Sequence, residues 1–188
     1  MKQDVNLTQA LPYVDLSTGL DSSGNIQHKG GSLDANWTVT GASNPLDAPN
    51  AYVVNKRDAD WGTWIGNGAY SSWIAANPFD RTGNEGNLTF TRTFDVATPS
   101  TATIIGGAWT SDNPGKLWLN GHLLSTLPAD PRTWGHLFAF STSASDFVAG
   151  LNTLTMQVVG DGFDGGRLAG WLVGAGAGVS GPTFHSEI

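Results

Sequence analysis

The alternation of apolar and polar positions is clearest from Leu88 to Val96, where Leu88, Phe90, Phe94 and Val96 face one way and Thr89, Thr91, Thr93 and Asp95 the other. That period of two marks a strand with one buried face, interrupted by Arg92 on the apolar side. A similar stretch, Leu151–Val159, sets Leu154, Met156 and Val158 against Thr153, Thr155 and Gln157. Between them the chain predicts a strand over Thr101–Trp109, with Gly106-Gly107 marking a bulge or a close approach, then Lys116–Leu119 and His122–Ser125. The last two are joined by Asn120-Gly121, whose tolerance of positive φ is the strongest short-range signal for a type I′ hairpin. Further strands are expected at Trp37–Thr40, Ala51–Asn55, Ser72–Ile74, Leu137–Ser141 and Leu168–Gly174, and a single helical turn at Ser145–Ala149. Many short strands with turn residues between them, and no 3.6-residue pattern of helix length, predict an all-β chain: a single antiparallel β-sandwich of the jelly-roll kind.

Length and composition sharpen this picture. The chain has 188 residues, enough for one domain with its own core, and 25 of them are Gly. We expect an N-terminal arm over residues 1–11, the sandwich over 12–181 and a short tail over 182–188. Charged residues make up 13% of the chain, about half the usual quarter, and the formal net charge is −7. The few Lys and Arg are scattered, so the basic stripe that nucleic acid or an anionic membrane surface requires is missing. No apolar run reaches the ~18 residues of a membrane span. There is no cysteine, which removes disulfides, thiolate metal sites and thiol nucleophiles.

The order of the later pieces carries a resemblance. Leu117-Trp-Leu-Asn-Gly-His122, a polar loop with Trp134, Phe138 and Phe140, and then Phe147-Val-Ala-Gly-Leu-Asn-Thr-Leu-Thr-Met156 are similar to the galactose-binding-like jelly-roll domain of sugar-binding regions and carbohydrate-binding modules. The first half, with Asp34-Ala-Asn-Trp37, Ser71-Ser-Trp-Ile74 and Phe90-Thr-Arg-Thr-Phe94, looks like extracellular bacterial proteins sorted by a PEP-CTERM tail, although no Pro-Glu-Pro motif follows here. The resemblance implies a galactose-binding-like fold, an extracellular or cell-surface location, and glycan or polysaccharide as partner. Asn120-Gly121 and Gly150-Leu-Asn152 are expected to be structural, one forming a tight turn and the other feeding a core strand.

Candidate ligand contacts come from the tryptophans, eight in all. Indole faces stack on the C–H surfaces of pyranose rings. Trp61 and Trp64 stand in a segment rich in Gly, Asn and Asp and Trp134 in a polar loop, and the three are read as loop residues presenting such faces; Trp61 and Trp64, three positions apart, cannot share one face of a regular strand. Trp37, Trp73, Trp109 and Trp118 sit in apolar or alternating runs and are read as core. Asp80, Arg81 and Asn84 could add the hydrogen bonds that orient a sugar. For a metal, the available hard ligands point to calcium, with Asp21 and Asn25 near the start and Asp164 near the end as candidates for a structural ion.

Catalysis finds little support. The four His residues lack metal-ligand spacing, and no nucleophile elbow, P-loop or dinucleotide fingerprint is present. The expectation is therefore a non-catalytic module that binds glycan through tryptophan-bearing loops. The alternative, from a different class, is a self-assembling structural subunit of a filament, matrix or virion surface, using sandwich edges and the N-terminal arm to pair with copies of itself.

Overall fold

In the computed structural model the described residues are 13–42, 49–54, 64–77, 86–112, 114–130, 133–160 and 165–176. The arm and tail expected at the two ends lie outside them. Among the described residues eleven strands follow one another: β1 (Tyr13–Asp15), β2 (Leu33–Ala42), β3 (Asn50–Val53), β4 (Ile74–Ala75), β5 (Gly86–Val96), β6 (Thr103–Asp112), β7 (Gly115–Leu119), β8 (His122–Leu127), β9 (Phe138–Ala139), β10 (Gly150–Gly160) and β11 (Gly165–Val173). Among the described residues the only helical pieces are 3-10 turns at Pro99–Thr101, Thr133–Gly135 and Ala144–Asp146. The all-β expectation holds. Every strand predicted from the sequence is present with shifted ends, and β1, three residues without a readable pattern, is the addition.

The strands form one antiparallel sheet curled on itself, in the order β8-β7-β10-β5-β2-β3-β4-β11-β6-β9, with β1 also pairing β11. Two layers result. The first is β8-β7-β10-β5-β2; the second is β11 and β6 with β1, β4 and β9, and β3 leads from one to the other. Between them lies a single main core drawn from both layers, including Phe90, Leu117, Leu119, Leu154 and Met156 on one side and Ile104, Trp109, Leu168 and Leu172 on the other. The layers meet closely: a Cβ placed on Gly166 of β11 would press on the end of the Met156 side chain of β10, which would have to shift to make room.

Local chemistry follows the sequence at the turns. Asn120 and Gly121 take φ of 52° and 83°, the type I′ hairpin between β7 and β8. The Asn120 amide donates to the Asp146 carbonyl and to Asn152 Oδ1, and its own Oδ1 accepts from the Thr153 N–H at 2.9 Å. Asn152, fully buried, donates in turn to the carbonyls of Val148 and Gly150. Both motifs are thus joints of the scaffold. Gly106 has φ of 62° opposite an irregularity in the β6–β11 pairing, and a Cβ there would press on the Trp171 ring at 2.8 Å.

Arg92 breaks the alternation of β5 for a reason found elsewhere in the chain. It is 8% exposed, donates from Nη2 to the Asp15 carbonyl at 3.0 Å, and stands in the field of the Asp15 and Asp34 carboxylates. Asp34, 3% exposed, accepts the backbone N–H groups of Gly19, Asn36 and Trp37. Burial drives both carboxyls above their ordinary range, against those hydrogen bonds and the attraction of Arg92, and burial likewise depresses Arg92. This cluster ties β1 and the start of β2 to β5.

Candidate functional site

The outer face of the second layer carries the most elaborated site. β11 is buried at all nine positions, which alternation alone would not give, because the segment from Trp64 to Trp73 folds over its outward side. That segment is pinned from within. Trp64 and Trp73 stack with ring centroids 3.9 Å apart, and the Trp73 indole donates to the Ile65 carbonyl at 2.9 Å. Asn67 donates to the Val54 carbonyl and accepts the Trp73 N–H, both at 2.8 Å, while the Ile65 N–H bonds the Trp134 carbonyl at 2.9 Å. The Trp64 indole N–H reaches an Asp112 carboxylate oxygen at the end of β6. A satellite core of Val54, Trp64, Trp73 and Ala75, with Ile65 and Trp134 packed against it, binds the two tryptophan-bearing loops to each other.

Between these loops opens a pocket of about 560 Å³, lined by Ile65, Gly68 and Ala69 on one side, Gly135, His136 and Leu137 on the other, and Arg167 of β11 at its base. Arg167 is 4% exposed. Its Nε donates to Ser71 Oγ and its Nη1 to the Gly66 carbonyl, each at 2.8 Å, which fixes the guanidinium plane. Tyr70 stands edge-on to Trp171, with centroids 5.6 Å apart, next along the same covering segment. The walls are therefore held by hydrogen bonds and ring stacking before any ligand arrives.

A second, shallower opening of about 400 Å³ lies on the outward face of the first layer, lined by Trp118, Gly121, Thr89, Thr155 and Gln157. Trp118 departs from the sequence expectation here. Read as core, it is instead partly exposed on the outward side of β7, because its neighbours Leu117 and Leu119 point inward. The parity of Leu-Trp-Leu carried that signal. The other three assigned to the core, Trp37, Trp73 and Trp109, are buried as expected.

The remaining sequence candidates divide as follows. Trp64 and Trp134 are brought together beside the pocket, Trp64 being 4% exposed with its ring inside the satellite core and Trp134 partly exposed. Trp61, Asp80, Arg81, Asn84 and Asp164 lie outside the described residues. Asp21 and Asn25 close one exposed turn: Asp21 Oδ1 accepts the N–H groups of Ser23 and Asn25 at 2.8 and 2.9 Å, and the Asn25 amide donates to the same carboxylate. Those donors, with Asn25 first, hold the Asp21 carboxyl below its usual range. Among the described residues no group of three or more His, Asp or Glu side chains gathers as a metal site. The pocket residues His136, Leu137 and Arg167 went unnoticed in the sequence, since nothing local sets them apart.

No protein-family model matches the chain, and no curated protein sequence matches it. Among solved structures it is similar to TmCBM61 in complex with β-1,4-galactotriose, at 15% identity over 73% of this chain and 88% of that one, with a TM-score of 0.40. It is also similar to a putative β-galactosidase from Bacteroides fragilis, at 12% identity over 77% of this chain and 23% of that one, TM-score 0.42. A family 35 carbohydrate-binding module from an environmental isolate is similar at 14% identity over 69% and 88%, TM-score 0.38. At these identities the likeness concerns strand architecture. Among the described residues no helix is long and apolar enough to cross a membrane.

Proposed function

We propose that the chain is a non-catalytic carbohydrate-recognition module, acting outside the cell, whose ligand enters the pocket above β11. The observation that supports this is the pairing of the two tryptophan-bearing loops around a pre-held pocket. Ile65, Ala69 and Leu137 offer apolar surface for the C–H faces of a sugar, and His136 and Arg167 offer polar groups at defined places, the combination that small-ligand sites use. Because this pocket has walls and a floor, it suits a glycan end or a short side branch. The test is affinity electrophoresis or a glycan array with the wild type and with Ala69→Trp, which fills the pocket from an exposed position. Retention of at least one glycan by the wild type, weakened tenfold or more in Ala69→Trp and in His136→Ala at unchanged melting temperature, is expected. Retention equal in all three proteins removes the pocket from the account, and no retention by any of them overturns the reading.

A further inference from the structure

We infer that the outward face of β7, β10, β5 and β2 is a separate binding surface, for an internal stretch of a linear, neutral polysaccharide laid across the strands. The inference stands apart from the pocket above β11 and does not need it. The strand registers align four outward side chains in one row: Trp118 faces Thr155, Thr155 faces Thr91, and Thr91 faces Thr38. At about 4.8 Å between strands the row is roughly 14 Å long, about the length of three linked pyranose rings.

Each part of the row has a chemical use. Trp118, partly exposed beside the 400 Å³ opening, supplies an apolar platform for one ring. Thr155, Thr91 and Thr38 supply hydroxyls that both donate and accept, as a sugar's own hydroxyls require. Parallel rows widen the surface, with Gln157 facing Thr89 on one side and Thr153 facing Thr93 on the other. β-Branching leaves threonine few rotamers, and the Thr40 and Thr91 hydroxyls already bond each other at 2.6 Å, so little side-chain freedom remains to be lost on binding.

Two absences define the ligand. The charged side chains along these outward strand positions are Lys116, which extends the Gln157–Thr89 row onto β7, and Asp95 at the other end of the face; none stands in the Trp118 row itself, so an uncharged chain is favoured over a polyanion. The row also runs open across the sheet, with Leu123 of β8, 56% exposed, continuing it beyond Trp118. A polymer can pass across such a surface, which a walled pocket does not permit.

Calorimetry with neutral β-1,4-linked glucan, xylan, mannan and galactan oligomers of one to six sugars, together with retention on the parent polysaccharides, tests the inference. One oligomer series is expected to bind more tightly with length up to at least three sugars, by tenfold or more over the monosaccharide. Trp118→Ala should weaken every length at least tenfold, and the near-isosteric Thr91→Val should weaken trimers and longer chains several-fold while sparing shorter ones. Ala69→Trp, in the pocket above β11, should change nothing here. Because Thr91→Val keeps shape and packing, it reports on the hydroxyl even if Trp118→Ala folds poorly. Binding that ignores Trp118→Ala and Thr91→Val but disappears in Ala69→Trp overturns this inference and leaves the pocket reading intact. Affinity independent of length, or no retention on any neutral polysaccharide, overturns it as well.

Discussion

β10 and β11 are both central antiparallel strands, and they differ in what covers them. β10 pairs with β5 in unbroken register from Gly150 opposite Val96 to Gly160 opposite Gly86, and its residues alternate between the core and an outward face of Thr153, Thr155 and Gln157. β11 pairs with β6, β4 and β1, shows an irregularity at Gly170, and is buried on both faces. The difference lies in the segment from Trp64 to Trp73, which takes the outward side of β11 out of water and leaves that of β10 exposed. A strand's alternation therefore reports its solvent contact, and a covering loop can erase it without changing the pairing. The same segment turns the outside of β11 into a pocket, whereas the outside of β10 stays an open surface.

The strongest way to break this comparison is to place one charge on the outward side of each strand. Ala169→Asp on β11 buries an unpaired carboxylate and is expected to cost several kcal/mol, enough to leave little folded protein, whereas Thr155→Asp on β10 should stay within about 1 kcal/mol. Urea unfolding of both variants decides it, and equal costs would deny that the cover matters.

Removing the cover itself comes next. Trp73→Ala, losing a side chain 2% exposed and its stack on Trp64, is expected to cost about 3–5 kcal/mol. Hydrogen exchange should then rise in β11 and β4 before it rises in β5 and β10. Uniform loss of protection would show that the cover is not a separate unit.

Arg92→Met probes a place where the first layer also buries charge. With Asp15 and Asp34 left uncompensated, the variant is expected to lose about 3 kcal/mol at pH 7. The sign with pH follows from the raised carboxyls. The folded state binds their protons more tightly than the unfolded chain does, so their ionisation costs stability at neutral pH, and that cost disappears as pH falls through the folded values to below the unfolded ones. The difference between variant and wild type should accordingly narrow between pH 7 and pH 4 in denaturant titrations. A constant difference would mean that Arg92 acts by packing alone.

The smallest expected effect is at the margin of the open face. Asp146 closes a capping box with Ser143 and meets His122 at 3.2 Å. Partial burial pushes its carboxyl up, but the Ser143 N–H and hydroxyl and His122 outweigh this and bring it below the ordinary range. Its stabilising share is present above the unfolded carboxylate value and is lost as pH falls through the lowered folded one. Asp146→Ala should cost about 1 kcal/mol at pH 7, with no change in the β11 pocket, and thermal scans at pH 7 and pH 2.5 should show the deficit closing in acid.

Much of the scaffold could be read from neighbouring residues. Leu88–Val96 and Leu151–Val159 declared their faces by period two, and Asn120-Gly121 declared its hairpin, because alternation and positive φ are local properties. Leu117-Trp118-Leu119 declared its faces too, but its apolar run suggested the core for Trp118 where parity pointed outward. Arg92 announced a buried charge, while its partners Asp15 and Asp34 lie far away in sequence on β1 and β2. Of the site, the sequence marked the tryptophans but could not show that Trp64 and Trp73 would stack on each other beneath the loop, or that Ile65, His136 and Arg167 would meet.

What the sequence determined by itself was the strand content, the main hairpin and the inward faces of β5 and β10, since these depend on residues one or two positions apart. Only the tertiary structure decided which outward faces stay wet. That choice rests on contacts between segments about a hundred residues apart, such as Arg167 with Ser71 and Gly66, and on the free energy of burying Trp64 and Trp73 together, which no local pattern contains.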